Sequence, residues 1–393
     1  MRQRALLAAA FVAVIQSCFL PALALDGAAV GAADGPAAVS VVLPVVPDGT
    51  TGASALAASA DSASRDPRVL APPITTTPDA KRSFGDKNNP PRLVLALSGG
   101  GCKSAAQIGV LRSLEEHHIP IDGIVGTSMG STIGALYCSG MSVDDLEKIF
   151  IEKELQKSIL AKVVVSYCLR PVKPIKYLIT GRPYAGLSAG RGYLKFLRKN
   201  LPPTFDQLKI PFASVATNLT DGQTAVLADG DLPLSVLASN AVPTLIRPVM
   251  INNKLYVDGG LKANLPANIA QGLSSALVVS VLVDTAIKPV PNKNFKNKNN
   301  LVMRVTDIVL ASSDKRLTDS TDILIYPDVD FVPGLTKDPE ILKKCIAAGK
   351  KAADALLPKI ELALAAQEKV RADLRTSQAL VQKHEDIDHG HRD

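Results

Sequence analysis

The residue of this chain with the clearest chemical signature is Ser128, which lies at the centre of the pentapeptide Gly126–Gly130. This segment reads G-x-S-x-G. The apolar run Ile121–Val125 before it predicts a buried strand, and the small residues of Met129–Ala135 predict a helix after it. A strand that turns sharply into a helix presents a serine hydroxyl at its tip, and flanking glycines leave room for the turn. The pattern therefore predicts a nucleophile elbow with Ser128 as the nucleophile.

A serine nucleophile needs a base, and none of the five histidines stands where a Ser-Asp-His hydrolase would place one. His117 and His118 end a predicted helix upstream of the elbow, where a positive charge favours the helix C-terminus. The others lie in a charged C-terminal tail and are expected to be solvated, with metal capture as a minor alternative. These are His384, His389 and His391. The positions of the histidines therefore argue against a conventional triad.

Asp258 is the alternative base. It follows the apolar strand Leu255–Val257, and it precedes Gly259 and Gly260, which would let another loop approach closely. Taken alone, an Asp-Gly pair is equally consistent with an ordinary turn. The residue itself leaves both interpretations open.

A glycine loop forms the third block. The predicted strand Leu93–Leu97 runs through Ser98 into three glycines, and the predicted helix Ala106–Glu116 follows. Consecutive backbone N–H groups in such a loop can hold an anion. A nucleotide-binding P-loop is excluded, because Leu97 and Cys102 occupy both of its glycine positions. The remaining anion is the oxyanion of an acyl-transfer intermediate. The candidate donors are Gly99, Gly100, Gly101 and Cys102.

The order of elements predicts an α/β protein. Short buried strands alternate with helical patterns, which favours a mostly parallel sheet with helices on both faces and a site at the carboxyl ends of the strands. Ser142 is predicted to cap a helix that runs to Phe150. The predicted strands are Leu93–Leu97, Ile121–Val125, Phe212–Ala216, Leu255–Val257, Ala276–Val281 and Ile323–Tyr326.

In this order, the three blocks resemble the patatin-like phospholipase family over roughly Pro91 to Pro358. The resemblance implies a three-layer patatin-like fold and a Ser-Asp dyad, with Ser128 as nucleophile and Asp258 as general base. It also implies supporting roles around the site and no metal or organic cofactor. The supporting residues are Lys103, Gly126, Gly130, Gly259 and Gly260. Lys103 is either a surface charge or a source of positive potential at the loop. Ser104 departs from the family pattern, which has glycine there.

By resemblance, the expected activity is hydrolysis of fatty-acyl esters of phospholipids or lysophospholipids. A neutral-ester hydrolase or an acyltransferase is the alternative within the same chemistry. A weakly active lipid-binding protein of the cell envelope is the alternative from another class, and Ser104 in the oxyanion loop keeps it open. The sequence leaves the oligomeric state undetermined.

The N-terminal segment predicts export. Residues 1–24 combine a basic start, an apolar core too short to span a bilayer and a small-residue cleavage site, as in a secretory signal peptide. A lipid anchor at Cys18 is the less favoured alternative. Residues 25–89 are rich in Ala, Pro, Ser and Thr and predict a disordered linker. The expected location is the periplasm or cell envelope, or outside the cell.

The remaining predictions concern organisation and partners. Residues 90–358 are expected to form the catalytic domain, and 359–393 a charged C-terminal helix and tail. Residues 151–191 are either a lid or packed scaffold. The net charge is +7, but the basic residues are dispersed and aromatics are only 4%, which argues against nucleic acid. A basic surface would favour peripheral contact with anionic lipid. The region 288–300 is predicted to be a solvated loop.

Overall fold

The structure is a computed structural model, in which every described residue lies within the compact unit Pro67–Asp393. The described residues are 90–152, 188–274, 276–283, 318–333 and 336–389, with the shorter stretches 75–76, 84, 155, 184–186, 287, 289–296, 300–301, 304–305, 307–309 and 311. The predicted signal peptide and most of the predicted lid or scaffold segment lie outside these residues.

The described strands form one nine-stranded sheet. They are β1 (Thr75–Thr76), β2 (Leu93–Leu97), β3 (Gly123–Thr127), β4 (Phe212–Asn218), β5 (Thr224–Leu227), β6 (Val249–Ile251), β7 (Lys254–Asp258), β8 (Leu277–Val281) and β9 (Ile323–Ile325). The main path runs β1-β5-β4-β3-β2-β8-β9, and β7 pairs with both β4 and β6. Strands β4, β3, β2, β8 and β9 are mutually parallel, so their carboxyl ends lie at one edge of the sheet.

Helices cover both faces of this sheet. They are α1 (Ala105–Glu116), α2 (Met129–Cys138), α3 (Val143–Ile151), α4 (Arg191–Asn200), α5 (Leu232–Ser239), α6 (Gly260–Ala263), α7 (Ala267–Leu273), α8 (Pro339–Asp354) and α9 (Leu357–His389). Short 3₁₀ turns occur at Gly101–Ser104, Phe205–Gln207, Asn292–Lys296 and Thr318–Ser320.

The alternation of side chains along β2 divides the core in two. Leu95 faces a cluster that includes Ile108 of α1, whereas Ala96 faces a cluster that includes Ile269 of α7. Because successive side chains of a strand point to opposite faces, a five-residue buried strand must be covered on both sides. This confirms the predicted α/β class, with a mostly parallel sheet between two helical layers.

Three details differ from the sequence predictions. Strand β3 begins at Gly123 rather than Ile121, because Asp122 directs its carboxylate to the N–H and guanidinium of Arg92. The segment predicted as a disordered linker contributes strand β1, which pairs with β5, and Phe84, which is only 2% exposed. Burial of the Phe84 side chain stabilises the fold, because it removes a large apolar area from water.

The sheet is mostly parallel as predicted, and β5 and β7 are the strands that run antiparallel to β4. The third difference is a boundary. The predicted boundary at residue 358 falls inside α9, whose Ile360 and Leu364 belong to the buried core. Arg371 of the same helix donates hydrogen bonds to the carbonyls of Pro90 and Pro91.

The capping prediction is confirmed: the Ser142 hydroxyl accepts a hydrogen bond from the N–H of Asp145 at the start of α3. His117 ends α1 as predicted. Within the described part of the chain, no helix combines the length and the apolar character needed to cross a membrane.

Candidate active site

The candidate site forms where two strands meet along a third. Strand β3 runs parallel to β4 and ends at Thr127, which pairs with Val215. Strand β7 runs antiparallel to β4 and ends at Asp258, which pairs with the next residue, Ala216. The two strand ends therefore face each other at consecutive positions of β4. The residues that follow or close these strands must lie close together.

Ser128 and Asp258 are in direct contact as a result. The Ser128 hydroxyl donates a hydrogen bond of 2.6 Å to Oδ2 of Asp258, although the residues are 130 positions apart. Ser128 has φ 52° and ψ −123°, a backbone conformation that a residue with a side chain rarely adopts. Such strain is typical of a nucleophile elbow, since it exposes the hydroxyl at the tip of the turn.

The Asp258 carboxylate is held in place from both sides. It is 5% exposed, and its Oδ1 accepts a hydrogen bond of 2.8 Å from the N–H of Gly260. Burial raises the pKa of Asp258 to about 6, while the hydrogen bonds from Ser128 and Gly260 oppose that shift. A carboxyl whose pKa lies near neutrality can both accept and return a proton, as a general base that later acts as an acid must do.

The end of α5 holds the elbow in its strained conformation. The Ser239 hydroxyl accepts a hydrogen bond from the N–H of Ser128 and donates one to the carbonyl of Val215. Asn240 Nδ2 lies 2.8 Å from the carbonyl of Ser128 and 2.8 Å from that of Val236. Both polar groups of the Ser128 backbone are thus fixed by side chains from α5 and its C-cap.

A buried polar chain extends from this support. Asn240 Nδ2 also lies 3.2 Å from Oγ1 of Thr132, which contacts the hydroxyl of Tyr193 at 2.5 Å. Burial raises the pKa of Tyr193, so its hydroxyl stays protonated. The sequence reading missed this role of Ser239, Asn240, Thr132 and Tyr193. A polar residue that will be buried can be recognised from the sequence only when its hydrogen-bond partner is known. These partners are far apart along the chain.

The glycine loop lies directly against the nucleophile. A Cβ placed on Gly99 would stand 3.1 Å from Cβ of Ser128 and 2.5 Å from Oδ1 of Asn264. The N–H of Gly99 is already used, because it donates to the carbonyl of Asn264. The N–H groups of Gly100, Gly101 and Cys102 donate no hydrogen bond to another described residue. Three of the four predicted donors therefore have no hydrogen-bond acceptor among the described residues, whereas Gly99 is committed to Asn264.

Close backbone contacts explain three of the predicted supporting glycines, and a Cβ on Gly126 would lie 2.6 Å from the carbonyl of Gly130. A Cβ on Gly130 would lie 2.5 Å from the carbonyl of Ser98, so only glycine lets α2 approach the end of β2. A Cβ on Gly259 would lie 2.2 Å from the carbonyl of Val215. Met129 is the first residue of α2. Its N–H therefore belongs to a helix N-terminus, where partial positive charge accumulates.

The three residues after the glycines differ in their surroundings. Cys102 is buried, accepts a hydrogen bond from the N–H of Thr336, and has a thiol pKa raised by burial, so it is a packing residue. The Lys103 side chain is half-buried beside the loop. Ser104 is fully buried, and its hydroxyl has no hydrogen-bond partner among the described residues.

His117 lies apart from this site. His117 Nδ1 contacts the carbonyl of Ser113 at the C-terminal end of α1, whereas the glycine loop precedes the N-terminal end of the same helix. The three tail histidines have no described side chain. Within the described ranges, the structure contains no group of three or more histidine, cysteine or acidic side chains that is placed to hold a metal ion.

Comparison with known proteins shows which sequences this chain resembles. A family model described as patatin-like phospholipase matches residues 95–270. An uncharacterized NTE family protein of Mycobacterium tuberculosis is 28% identical over 248 residues, which cover 62% of this chain and 64% of that protein. The human patatin-like phospholipase domain-containing protein 6 is 31% identical over 191 residues, which cover 48% of this chain and 13% of the human protein.

The chain thus spans less than two thirds of the length of these curated relatives. Among solved structures, VipD from Legionella pneumophila aligns over 68% of this chain and 67% of its own, with 19% identity and a TM-score of 0.40. The matched segment contains the elbow, the glycine loop and Asp258. Residues 95–270 are therefore a domain of the patatin-like phospholipase family.

Proposed function

We propose that this protein is a serine lipid acyl hydrolase that cleaves fatty-acyl esters of phospholipids or lysophospholipids. The observation that carries the proposal is the 2.6 Å hydrogen bond from the Ser128 hydroxyl to the buried carboxylate of Asp258. It lies beside a loop in which the N–H groups of Gly100, Gly101 and Cys102 donate to no other described residue. A serine activated by a base and facing unpaired donors is the arrangement that acyl transfer requires.

Acylation is the first half of the reaction. Asp258 takes the proton of Ser128, and Oγ attacks the carbonyl carbon of the ester. The negative charge that forms on the carbonyl oxygen is stabilised by the N–H groups of Gly100 and Gly101, with Cys102 as a third donor. Removing one such donor in other hydrolases costs about 10²–10³ in rate. When the ester C–O bond breaks, Asp258 returns its proton to the leaving alcohol and the acyl group stays on Ser128.

Deacylation repeats the same chemistry with water. Asp258 takes a proton from a water molecule, the hydroxide attacks the acyl carbon, and the same donors hold the second oxyanion. The bond to Ser128 then breaks, Ser128 regains its proton and the fatty acid leaves. One carboxyl serves both steps, because its pKa of about 6 allows it to bind and release a proton near neutral pH.

The family and the character of the site support the proposed lipid class. The names of the relatives refer to phospholipase domains, and the sheet edge around Ser128 carries exposed apolar side chains, such as Leu219. Neutral esters and acyl transfer to another alcohol use the same acyl-enzyme. They remain the alternatives within this proposal.

Fatty-acid release from vesicles of mixed phospholipid and lysophospholipid tests the proposal. The wild type is expected to release fatty acid, and the Ser128→Ala variant is expected to release none while keeping its far-ultraviolet circular dichroism spectrum. Release by Ser128→Ala at the wild-type rate would sink the assignment. The second product identifies the substrate, because a diacyl phospholipid leaves a lysophospholipid and a lysophospholipid leaves a glycerophosphodiester without an acyl chain.

We also propose that the protein is exported by residues 1–24, which have the composition of a secretory signal peptide. The proposal predicts a mature chain that starts at Leu25. Intact-mass measurement of the purified protein tests it, and a mass that includes residues 1–24 after expression in a secreting host would refute it. A lipid attached to Cys18 would show that the less favoured processing route is used.

A further inference from the structure

Tyr193 is a tyrosine whose hydroxyl is buried close to the candidate site. It belongs to α4, is 1% exposed and stacks on Phe196 of the same helix, with the ring centroids 6.5 Å apart. A Cβ on Gly190, which precedes α4, would lie 2.8 Å from the side chain of Leu237 in α5, so α4 begins in close contact with α5. Packing therefore fixes the direction in which the Tyr193 hydroxyl points.

The Tyr193 hydroxyl keeps its hydrogen and contacts one polar side chain among the described residues. Burial is the main cause that raises the pKa of Tyr193, and the charge of Asp258 adds to it. The hydroxyl is therefore neutral at the pH at which a carboxylate base works. Its partner is Oγ1 of Thr132, at 2.5 Å. Thr132 lies one helical turn after Ser128, and its backbone N–H donates to the carbonyl of Ser128.

The side-chain amide of Asn240 faces more acceptors than it can satisfy. Its Nδ2 carries two hydrogens, but three oxygens lie within reach. The carbonyls of Ser128 and Val236 are both at 2.8 Å, and Oγ1 of Thr132 is at 3.2 Å. The two shorter contacts use both hydrogens. Oγ1 of Thr132 is therefore an acceptor that competes for the hydrogen by which Asn240 holds Ser128.

We propose that Tyr193 is a positioning residue for the nucleophile. Its hydroxyl donates to Oγ1 of Thr132, which satisfies the competing acceptor and leaves the Asn240 amide on the carbonyl of Ser128. The inference rests on the proposed function, because Ser128 must be held at φ 52° for its hydroxyl to face an ester. Tyr193 acts through Thr132 and Asn240 and not by contact with the substrate.

A tyrosine that only filled the core would behave differently. Loss of its hydroxyl would change the stability of the protein, but the folded variant would keep the wild-type kinetic constants. A positioning residue changes kcat, and its loss can be compensated by a second substitution that removes the competing oxygen. Thr132→Val is that substitution, because valine keeps the branched shape of threonine without its hydroxyl.

Hydrolysis of p-nitrophenyl butyrate in solution measures the kinetic effect. In Tyr193→Phe, Oγ1 of Thr132 draws the Asn240 amide away from the Ser128 carbonyl. We expect kcat to fall about tenfold with KM unchanged, because a misplaced nucleophile reacts more slowly without weaker binding of the ester. The matched control is Tyr137→Phe in α2, which removes the hydroxyl of a partly buried tyrosine beside Glu115 and should keep the wild-type kcat. A wild-type kcat in Tyr193→Phe would overturn the proposal.

The double variant Tyr193→Phe with Thr132→Val separates positioning from packing. It removes the donor and the competing acceptor together, so the Asn240 amide returns to Ser128 and most of the lost kcat should be recovered. In urea unfolding, Thr132→Val alone should have a lower midpoint than the double variant, because it leaves the buried Tyr193 hydroxyl unpaired. A double variant that is no more active than Tyr193→Phe would show that the hydroxyl does not act through Thr132.

Crystal structures test the hydrogen-bond route without any substrate. In Tyr193→Phe, Nδ2 of Asn240 should lie closer to Oγ1 of Thr132 and farther from the carbonyl of Ser128 than in the wild type. Unchanged distances would overturn the route even if kcat falls. If the wild type hydrolyses neither the soluble ester nor vesicle lipid, the proposed function fails, and these distances alone then decide whether Tyr193 positions Ser128.

Discussion

Thr127 and Asp258 end two strands that run toward each other along β4, and they pair with its consecutive residues Val215 and Ala216. A strand pairing fixes positions to within a fraction of a residue, because a shift by one residue would turn each side chain to the opposite face. The contact between Ser128 and Asp258 is therefore set by the backbone of the sheet and does not depend on a flexible loop.

The pH dependence of activity should follow Asp258. Burial raises the pKa of this carboxyl to about 6, and only its ionised form can accept the proton of Ser128. We expect kcat/KM for a soluble ester to fall about tenfold per pH unit below about 6 and to level off above it. Initial rates across pH 5 to 8, with a pH-stability control, measure this. A rate that stays constant down to a pH of about 4, near the ordinary value for an aspartate, would contradict the buried base.

The same group should make the fold less stable as the pH rises. The folded state binds the proton of Asp258 more tightly than the unfolded chain, whose aspartates titrate near 3.9, so stability is lost between about pH 4 and 6. Asp258→Asn removes this titration. The free energy of unfolding of this variant minus that of the wild type should increase between pH 4 and pH 8, by up to about 3 kcal/mol. Urea unfolding at both pH values checks the sign, and a difference that shrinks with rising pH would refute it.

Asn240 should be essential for the shape of the elbow. Asn240→Asp replaces the donor that faces the carbonyls of Ser128 and Val236 with an acceptor. We expect a loss of about 2–3 kcal/mol in stability, because buried acceptors are left unpaired, and a marked drop in esterase activity. Asn253→Asp, at an exposed position of the β6–β7 turn, is the control and should be near neutral. Equal effects of the two changes would argue against the support role.

Ser104 should be dispensable. Its buried hydroxyl has no partner among the described residues, so Ser104→Ala removes an unpaired polar group. We expect stability to rise by about 1 kcal/mol, with esterase activity unchanged. Urea unfolding and ester hydrolysis of the same preparation measure both. A large loss of activity in the alanine variant would mean that this hydroxyl acts on the substrate or on the oxyanion.

The glycines at which α1 and α8 cross should not tolerate a side chain. A Cβ on Gly349 would lie 1.8 Å from the carbonyl of Ala106, and one on Gly109 would lie 1.9 Å from that of Ile346. Gly349→Ala should therefore cost about 2–4 kcal/mol, since the helices must separate. Gly272→Ala in α7 meets no atom within 4 Å and should gain up to about 1 kcal/mol from helix propensity. Thermal or urea unfolding of the pair decides, and similar stabilities would contradict the close crossing.

The sequence predicted those parts of the site that are determined by residues close together in the chain. The turn at Ser128, the glycine loop after β2 and the class of the sheet each follow from residues that are neighbours in the chain. The antiparallel course of β7 along β4 has no such signal, because a three-residue apolar run does not reveal its partner strand. The sequence accordingly named Asp258 as a base without explaining why it reaches Ser128.

Long-range contacts account for what was missed. The Ser239 hydroxyl supports a backbone N–H that lies 111 residues away, and Phe84 fills the core from a segment whose composition favours disorder. The shift of β3 by two residues comes from the contact between Asp122 and Arg92, 30 residues apart. In each case the deciding partner is distant in sequence, so neither periodicity nor composition could identify it.

Covalent labelling with a long-chain alkyl fluorophosphonate tests the central claim most directly, because this reagent phosphonylates an activated serine. Peptide mass mapping should find one label per chain, on Ser128. The Asp258→Asn variant should label far more slowly, and Ser128→Ala should not label at all. A label on another serine, or labelling of Asp258→Asn at the wild-type rate, would contradict the assignment of Ser128 and Asp258 as nucleophile and base.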